Sequence, residues 1–350
     1  MNHTEVAIAG GGIVGLSAAL ELAAAGLQVT VFERGRAMAE SSSAAAGMLA
    51  ARDPENPPAL RQLAELSLRL YPQFLAEVER LSGIRIPIRT TRTIQGSRHL
   101  PDGFRALDAS ELNALVPGLV INDLHFFSLD EQSLDPRNLA QALPGAVRAA
   151  GVTLLEDTAV TAVAVQTGGV TIETSAGRWS AHSFIHCSGA WAETLTGIPI
   201  TPRKGQMVMV EGHGPQRLNV VLRTPEIYLV PRGDGRIVVG ATVEDAGFDK
   251  QVDPAAISRL LDTAAALWPP TRTTPTIESW AGLRPASPDE LPVIDACGPH
   301  CWLAAGHFRN GILLAPATAR LLHKLITGKT PDIDLKPFRC GRFTASSVHS

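Results

Sequence analysis

A chain of 350 residues is long enough for two domains, or for one large domain with a second layer. With 45% hydrophobic residues, 31 glycines and 19% charged residues, it reads as a turn-rich globular protein. A formal charge of −3 supplies no basic field, so neither nucleic acid nor anionic lipid is an expected partner.

The first stretch, "EVAIAGGGIVGLSAALELAAAGLQVTVFERG", opens like a βαβ unit. Residues 6–9 form a short apolar run, as in a strand covered on both faces. Gly10, Gly11 and Gly12 make a tight turn, residues 13–25 are good helix formers, and Gly26 stands where a helix-ending glycine belongs. Residues 28–33 are the second strand. Glycines and Glu21 interrupt this apolar N-terminal region, and it has no basic leader or small-residue cleavage site. No other window is apolar for long enough to cross a bilayer, so no integral membrane segment and a cytoplasmic location are expected.

Residues 60–81 place Leu63, Leu66, Leu70 and Phe74 on one helical stripe. "DASELNAL" carries an Asp…Glu pair at capping-box spacing from Asp108. Asp135 and Pro136 open a further helix that Gly151 closes, and Pro144 is expected to kink or divide it. Strands are expected at 152–155, 160–165, 170–174 and 183–187. "IYLVPRGDGRIVVGAT" reads as a hairpin turning at Gly233-Asp234-Gly235, with one arm in the period-two pattern of a half-buried strand. Asp253-Pro254 starts a helix ending near Trp268, and the last helix lies between Asn310 and Gly328. No fixed-period repeat or low-complexity linker appears. The outer thirds return to a βαβ-like pattern, while the middle is richer in antiparallel strands.

Four cysteines, Cys187, Cys297, Cys301 and Cys340, are too few and too scattered for a disulfide framework. "CGPHC" lacks a second ligand pair at zinc spacing, so no metal site is expected.

Chemistry enters with Gly10-x-Gly12-x-x-Gly15, set between a strand and a helix. The first glycine permits the turn, the second lets a pyrophosphate approach, and the third lets helix and strand pack closely. The helix N-terminus then offers free N–H groups to the phosphates. Glu33, at the end of the second strand, is placed to accept hydrogen bonds from ribose hydroxyls, which excludes a 2′-phosphate and leaves FAD or NAD. In "SSSAAAGMLAA" small residues surround a central glycine, a composition suited to a backbone lying against a flat ring or a diphosphate.

Taken with "YLVPR…GRIVVGAT", "WAGLRPASPD" and "AAGHFRNGILLAPAT", these blocks make nearly the whole chain resemble the glycine oxidase branch of the D-amino-acid oxidase family. The resemblance implies an α/β fold: a Rossmann-like FAD-binding domain and a second substrate domain built on a mostly antiparallel β-sheet. It implies a discontinuous FAD-binding domain over residues 1–80, 145–200 and 290–350, and a substrate domain over 81–144 and 201–289. The FAD would be non-covalent. Beside Gly10, Gly12 and Gly15, its contacts would be Ile13, Val14, Glu33, Arg34, Ser41, Ser42, Ala46, Gly47, Met48 and Val160. The segment His307, Phe308, Arg309, Asn310, Gly311, Ile312 and Leu313 would complete the site. Tyr228, Arg284 and Arg309 would orient a small amino acid substrate, with O2 as the second substrate. The branch also implies a homo-oligomer, a tetramer by analogy, and a role in forming the thiazole of thiamine. Two positions depart from the family pattern: Val243 replaces a methionine after the hairpin, and Glu226 stands where a histidine is common.

Oxidising an α-amino acid removes a proton and two electrons from the α-carbon, in the simplest account as a hydride to flavin N5, so the protein mainly orients the reactants. Arg284 suits a bidentate grip on a carboxylate, against the alternative of a salt bridge to Asp289 or Glu290. Tyr228 could donate to the same carboxylate, or be a core tyrosine with a backbone partner. Because Pro316 lacks an N–H, the last helix is expected to begin close to it, its N-terminus facing the flavin N1–C2=O edge. His307, Arg309 and Asn310 would then be a polar rim. Rival readings on the same scaffold are a sarcosine-type N-methyl amino acid oxidase and a quinone-linked dehydrogenase. One from another class is a flavin-binding subunit without turnover.

Overall fold

The computed structural model describes residues 2–212 and 217–346; the remaining residues of the expected domain spans lie outside the described ones. Among the described residues the strands form sheets of eight, seven and three. The first apolar run ends a longer strand, Asn2–Ala9, which lies inside the largest sheet, parallel to Val29–Phe32 on one side and Gly177–His186 on the other. Cys301–Ala305 joins Gly177–His186 in parallel, and Thr153–Leu155 joins Val29–Phe32. Strand alternation then sorts the side chains. Val6 and Ile8 enter the core made with helices Ile13–Ala24, Arg61–Ser82, Pro136–Ala149 and Gly311–Ile326. Ala7 and Ala9 pack on the other face, against the antiparallel pair Val160–Gln166 and Gly169–Thr174.

The seven-stranded sheet runs in the order Thr276–Ala286, Thr201–Glu211, Arg236–Gly240, Tyr228–Pro231, Val221–Arg223, Thr93–Ser97, His125–Leu129. Only Val221–Arg223 and Thr93–Ser97 pair in parallel. The predicted hairpin forms, but neither arm is half-buried. Leu229 and Val239 face a core completed by helix Pro254–Leu267, while Val230 and Val238 face a smaller one shared with Ala44, Ala46 and Met48. The segment after Ser41 thus covers the face that a period-two reading leaves to solvent.

Caps form as their residue types require. Asp108 and Glu111 exchange both capping-box bonds at 2.9 Å, and the Asp135 and Asp253 carboxylates accept from Arg137 and Ala255 amides. Pro144 does not divide its helix, which continues from Pro136 to Ala149 with Leu139, Ala142, Leu143, Ala146 and Val147 in the first core. The expected domain boundary between residues 144 and 145 falls inside this helix, whose buried face belongs wholly to the first core.

The last helix runs Gly311–Ile326, inside the expected span, and starts five residues before Pro316, which lies within it. The missing N–H of Pro316 leaves the Ile312 carbonyl without its helical donor. Tyr71, fully buried on helix Arg61–Ser82, donates its hydroxyl to that carbonyl at 2.7 Å. Ser67, one turn earlier, accepts the Ala317 amide at 3.2 Å. Two side chains of a neighbouring helix therefore repair the gap. Replacing Tyr71 with Phe strands a buried carbonyl and should cost about 1–3 kcal/mol, read as a lower urea midpoint at unchanged m-value.

Candidate active site

One cavity of about 570 Å³ is lined by residues of both large sheets. At one end lies the first glycine turn. Gly10 has φ +112°, and an added Cβ would stand 2.3 Å from the Cys187 carbonyl; at Gly15 it would stand 2.0 Å from the Gly10 carbonyl. Both glycines are set by close backbone approach. Gly10, Gly12, Ile13 and Val14 line the cavity, whereas Gly15 acts behind them in packing. The Ile13 amide, at the helix start, donates to Ser42 Oγ at 2.9 Å. Glu33 is 9% exposed; its Oε2 accepts the Gly11 amide at 2.7 Å and its Oε1 the Gly35 amide at 2.9 Å. Two amides thus aim the carboxylate, and each oxygen keeps a lone pair for a ribose hydroxyl. Val160 lines this end, as does Arg34, which lies 3.4 Å over the Trp191 ring.

Ser188 and Trp191 went unread in the sequence. The available signal was a small-residue turn directly after an apolar strand, echoing the first glycine turn. Ser188 Oγ is buried, lines the cavity and has no protein hydrogen-bond partner. An orphaned polar atom beside a glycine turn and an aimed carboxylate fits a dinucleotide.

Midway, the small-residue loop forms a short helix, Ser41–Ala44, and a strand, Met48–Leu49. Two donors from the second sheet and its hairpin hold it, the first fully buried and the second half-buried. Arg232 Nη1 donates to the Ala46 carbonyl at 2.8 Å, and Trp280 Nε1 to that of Ala44 at 3.0 Å. Gly47 has φ +84°, and a Cβ there would meet the Leu134 carbonyl at 2.1 Å. Ser41, Ser42, Ala46, Gly47 and Met48 all line the cavity. Arg232, the arginine closing "YLVPR", was legible as a motif residue but not as the clamp of this loop.

At the far end Tyr228 and Arg284 stand together. Burial pushes the Tyr228 hydroxyl above its ordinary range, with the nearby Arg284 charge pulling partly back, so it remains a proton donor at neutral pH. Arg284 Nη1 donates to the Thr242 carbonyl at 3.0 Å, and no carboxylate among the described residues pairs with it. The alternative of a bridge to Asp289 or Glu290 is not adopted, because Asp289 takes Arg342 at 2.7 Å and Ser287 at 2.9 Å. Other charges at this end are matched: Arg309 lies 3.6 Å from Glu55, and Glu226 lies 2.9 Å from Arg98. Arg223, another residue the sequence reading passed over, is buried 3.1 Å from Glu131 and 3.5 Å from Asp53. Val243, 60% exposed, sits at the cavity margin.

The expected polar rim divides. Arg309 and Asn310 do stand at it, and Asn310 donates to Asn56 at 3.0 Å. His307 also lines the cavity but is only 2% exposed, with Nε2 3.0 Å from Thr318 Oγ1 on the helix that follows. Phe308, Gly311 and Ile312 line the cavity, while Leu313 points into the first core and does not. No metal-sized group of His, Cys, Asp or Glu occurs among the described residues, and none of their helices is long and apolar enough to cross a membrane.

A dinucleotide turn opening onto a second chamber with an unpaired guanidinium is the plan of a dinucleotide-dependent oxidoreductase. The family model for FAD dependent oxidoreductases matches residues 5–325, and the chain belongs to this D-amino-acid oxidase family, with FAD as cofactor. The glycine oxidase of Geobacillus kaustophilus is 32% identical over 373 aligned positions, which cover 98% of each chain. A crystal structure of that glycine oxidase matches with a TM-score of 0.91, covering 98% of this chain and 99% of that one. The bifunctional protein ThiO/ThiG of Trichormus variabilis is 36% identical across 97% of this chain but 55% of its own length. The chain therefore spans about half the length of such relatives.

Glu33→Gln keeps one acceptor but turns an NH2 toward a backbone amide; FAD affinity should fall about tenfold or more in a fluorescence titration. Burial also holds His186 and His307 down at about 4, below the ordinary 6.5. The folded state then keeps both neutral while the unfolded chain protonates near 6.5, so their contribution is complete above that pH and is lost toward pH 4. Urea midpoints should fall across this window, with a shallower fall in His307→Gln.

Proposed function

We propose that this protein oxidises the Cα–N bond of glycine and other small amino acids, D-amino acids and sarcosine included, with O2 reduced to H2O2. The observation that carries this reading is Arg284, a cation at the substrate end with no carboxylate partner among the described residues. A single unmatched guanidinium suits a substrate with one carboxylate.

Bound FAD supplies the two-electron acceptor. Gly10, Gly12, Glu33, Ser188 and the clamped loop around Gly47 would hold it, with Gly311 and Ile312 presenting a helix N-terminus to the same cavity. Arg284 grips the substrate carboxylate in a planar fork, and the protonated Tyr228 hydroxyl donates to the same group. Arg309 would help orient the substrate from the rim, where it lies 3.6 Å from Glu55. No side chain is required as a base when the amine binds neutral, and orientation becomes the protein's main contribution. Release of the product imine for thiazole formation, a cytoplasmic setting and a homotetramer accompany this reading as proposals from the family resemblance. A flavin-binding subunit without turnover would have no use for an unmatched Arg284.

The test begins with the absorbance spectrum of the purified protein and anaerobic bleaching by glycine, D-alanine and sarcosine. Peroxide release in air then separates an oxidase from a quinone-linked dehydrogenase. Arg284→Ala should retain its flavin and raise KM by more than about a hundredfold, since a desolvated charge pair is lost. A flavin that none of these amines bleaches would end the proposal.

A further inference from the structure

We infer that Gly205 is a positioning residue for Arg284: its missing side chain is the space in which the guanidinium lies. Arg284 belongs to the edge strand Thr276–Ala286, yet its Nη1 reaches the carbonyl of Thr242, which follows Arg236–Gly240. The strand Thr201–Glu211 runs between these two. Neighbouring strands lie about 4.8 Å apart, so the side chain has to cross the middle strand to make that bond. Register sets the crossing point. Arg203 is opposite Arg284 and Gly205 is opposite Gly282, so Gly205 lies diagonally ahead of Arg284 on the same face.

An added Cβ at Gly205 would fall 2.2, 2.3 and 2.4 Å from Nη1, Nη2 and Cζ of Arg284, within the guanidinium itself. Backbone conformation does not explain this glycine, because it is not among the positive-φ residues. In a strand interior a glycine costs stability and packs nothing, which leaves the close approach as its reason. A second position on the same face repeats the pattern. Gly240 is opposite Met207, and a Cβ on it would stand 2.6 Å from the Tyr228 hydroxyl, again without a positive φ. Two side-chain-free positions thus form one trough, and the arginine and tyrosine that meet in it lie flat against the sheet. With larger residues there, both polar ends would be lifted toward the cavity and off their common aim. This inference rests on the reading of Arg284 as the carboxylate anchor.

The atoms that an alanine at 205 would displace are the far end of a flexible side chain, so strand pairing should survive and the anchor should move. The experiment is a double-mutant cycle of Gly205→Ala and Arg284→Ala in the flavin-loaded protein. Readouts are glycine KM and kcat, acetate binding followed by flavin absorbance, and the melting temperature. Gly205→Ala alone should keep the flavin and weaken both glycine and acetate by about tenfold or more, as misplaced anchors do. In the Arg284→Ala background it should change neither, and any melting-temperature loss it causes should be restored there, because the clashing group is gone. Unchanged KM and acetate affinity in Gly205→Ala, or an equal loss in both backgrounds, would overturn the inference while leaving Arg284 as anchor. If Arg284→Ala itself affects neither ligand, the functional reading fails, and the role of Gly205 fails with it.

Discussion

A guanidinium with 1% exposure, that of Arg232, ties the halves of this molecule together. It follows the hairpin strand Tyr228–Pro231 of the seven-stranded sheet, and its Nη1 is shared between the carbonyls of Ala46 and Leu134 at 2.8 and 3.2 Å. Its counter-charge, Asp135 at 3.8 Å, also caps the helix Pro136–Ala149 that packs in the first core. Burial lowers the arginine's pKa and Asp135 opposes that shift, as expected where desolvation competes with a nearby anion. Removing one partner of such a group leaves an uncompensated buried charge, a loss of about 3–5 kcal/mol. The loop Ala44–Met48 is therefore a fixed floor between the two sheets, and the cavity has a defined shape because of it.

On that floor, the arginines of the far end differ in partner rather than in kind. Arg223 is enclosed by Glu131, Asp53 and Gln95, and Arg309 leans on Glu55. Burial raises the Glu131 carboxyl and Arg223 pulls it back, so the charge of Arg223 is already balanced by carboxylates of the protein. Arg284 alone meets only a carbonyl dipole among the described residues. Because Arg223 and Arg309 face carboxylates of the protein, the one cation at this end that does not is a binding feature instead of one charge among several.

Much of the fold was legible in the chain because local rules carried it. The glycine turn, the acid at Glu33, the capping aspartates and the apolar runs each specify their own few residues. The helices formed within about two residues of expectation, while the strands expected at 6–9 and 183–187 start four and six residues earlier, at Asn2 and Gly177. Where a reading missed, a distant side chain had altered the local rule. The missing N–H of Pro316 put the helix start close to or just before it; the helix begins at Gly311, because Tyr71, 241 residues from Ile312 in the chain, satisfies the carbonyl the proline leaves open. His307 was read as a rim residue; it does line the cavity, with its ring held inside by Thr318. The hairpin was read as half-buried, because nothing in its own pattern says that residues 44–48 cover its second face.

By itself, then, the sequence determined the element types, the nucleotide-binding turn with its acid, and the blocks that mark the family, all consequences of spacing over short stretches. Tertiary structure alone decided which arginine is paired and which is not. Asp289 was the near neighbour of Arg284 in the chain, yet Arg342 claims it, and a glycine on an adjacent strand opens the path the guanidinium takes instead. Pairing of charges depends on distances in space, and a linear pattern contains those only where the chain has not yet folded back on itself.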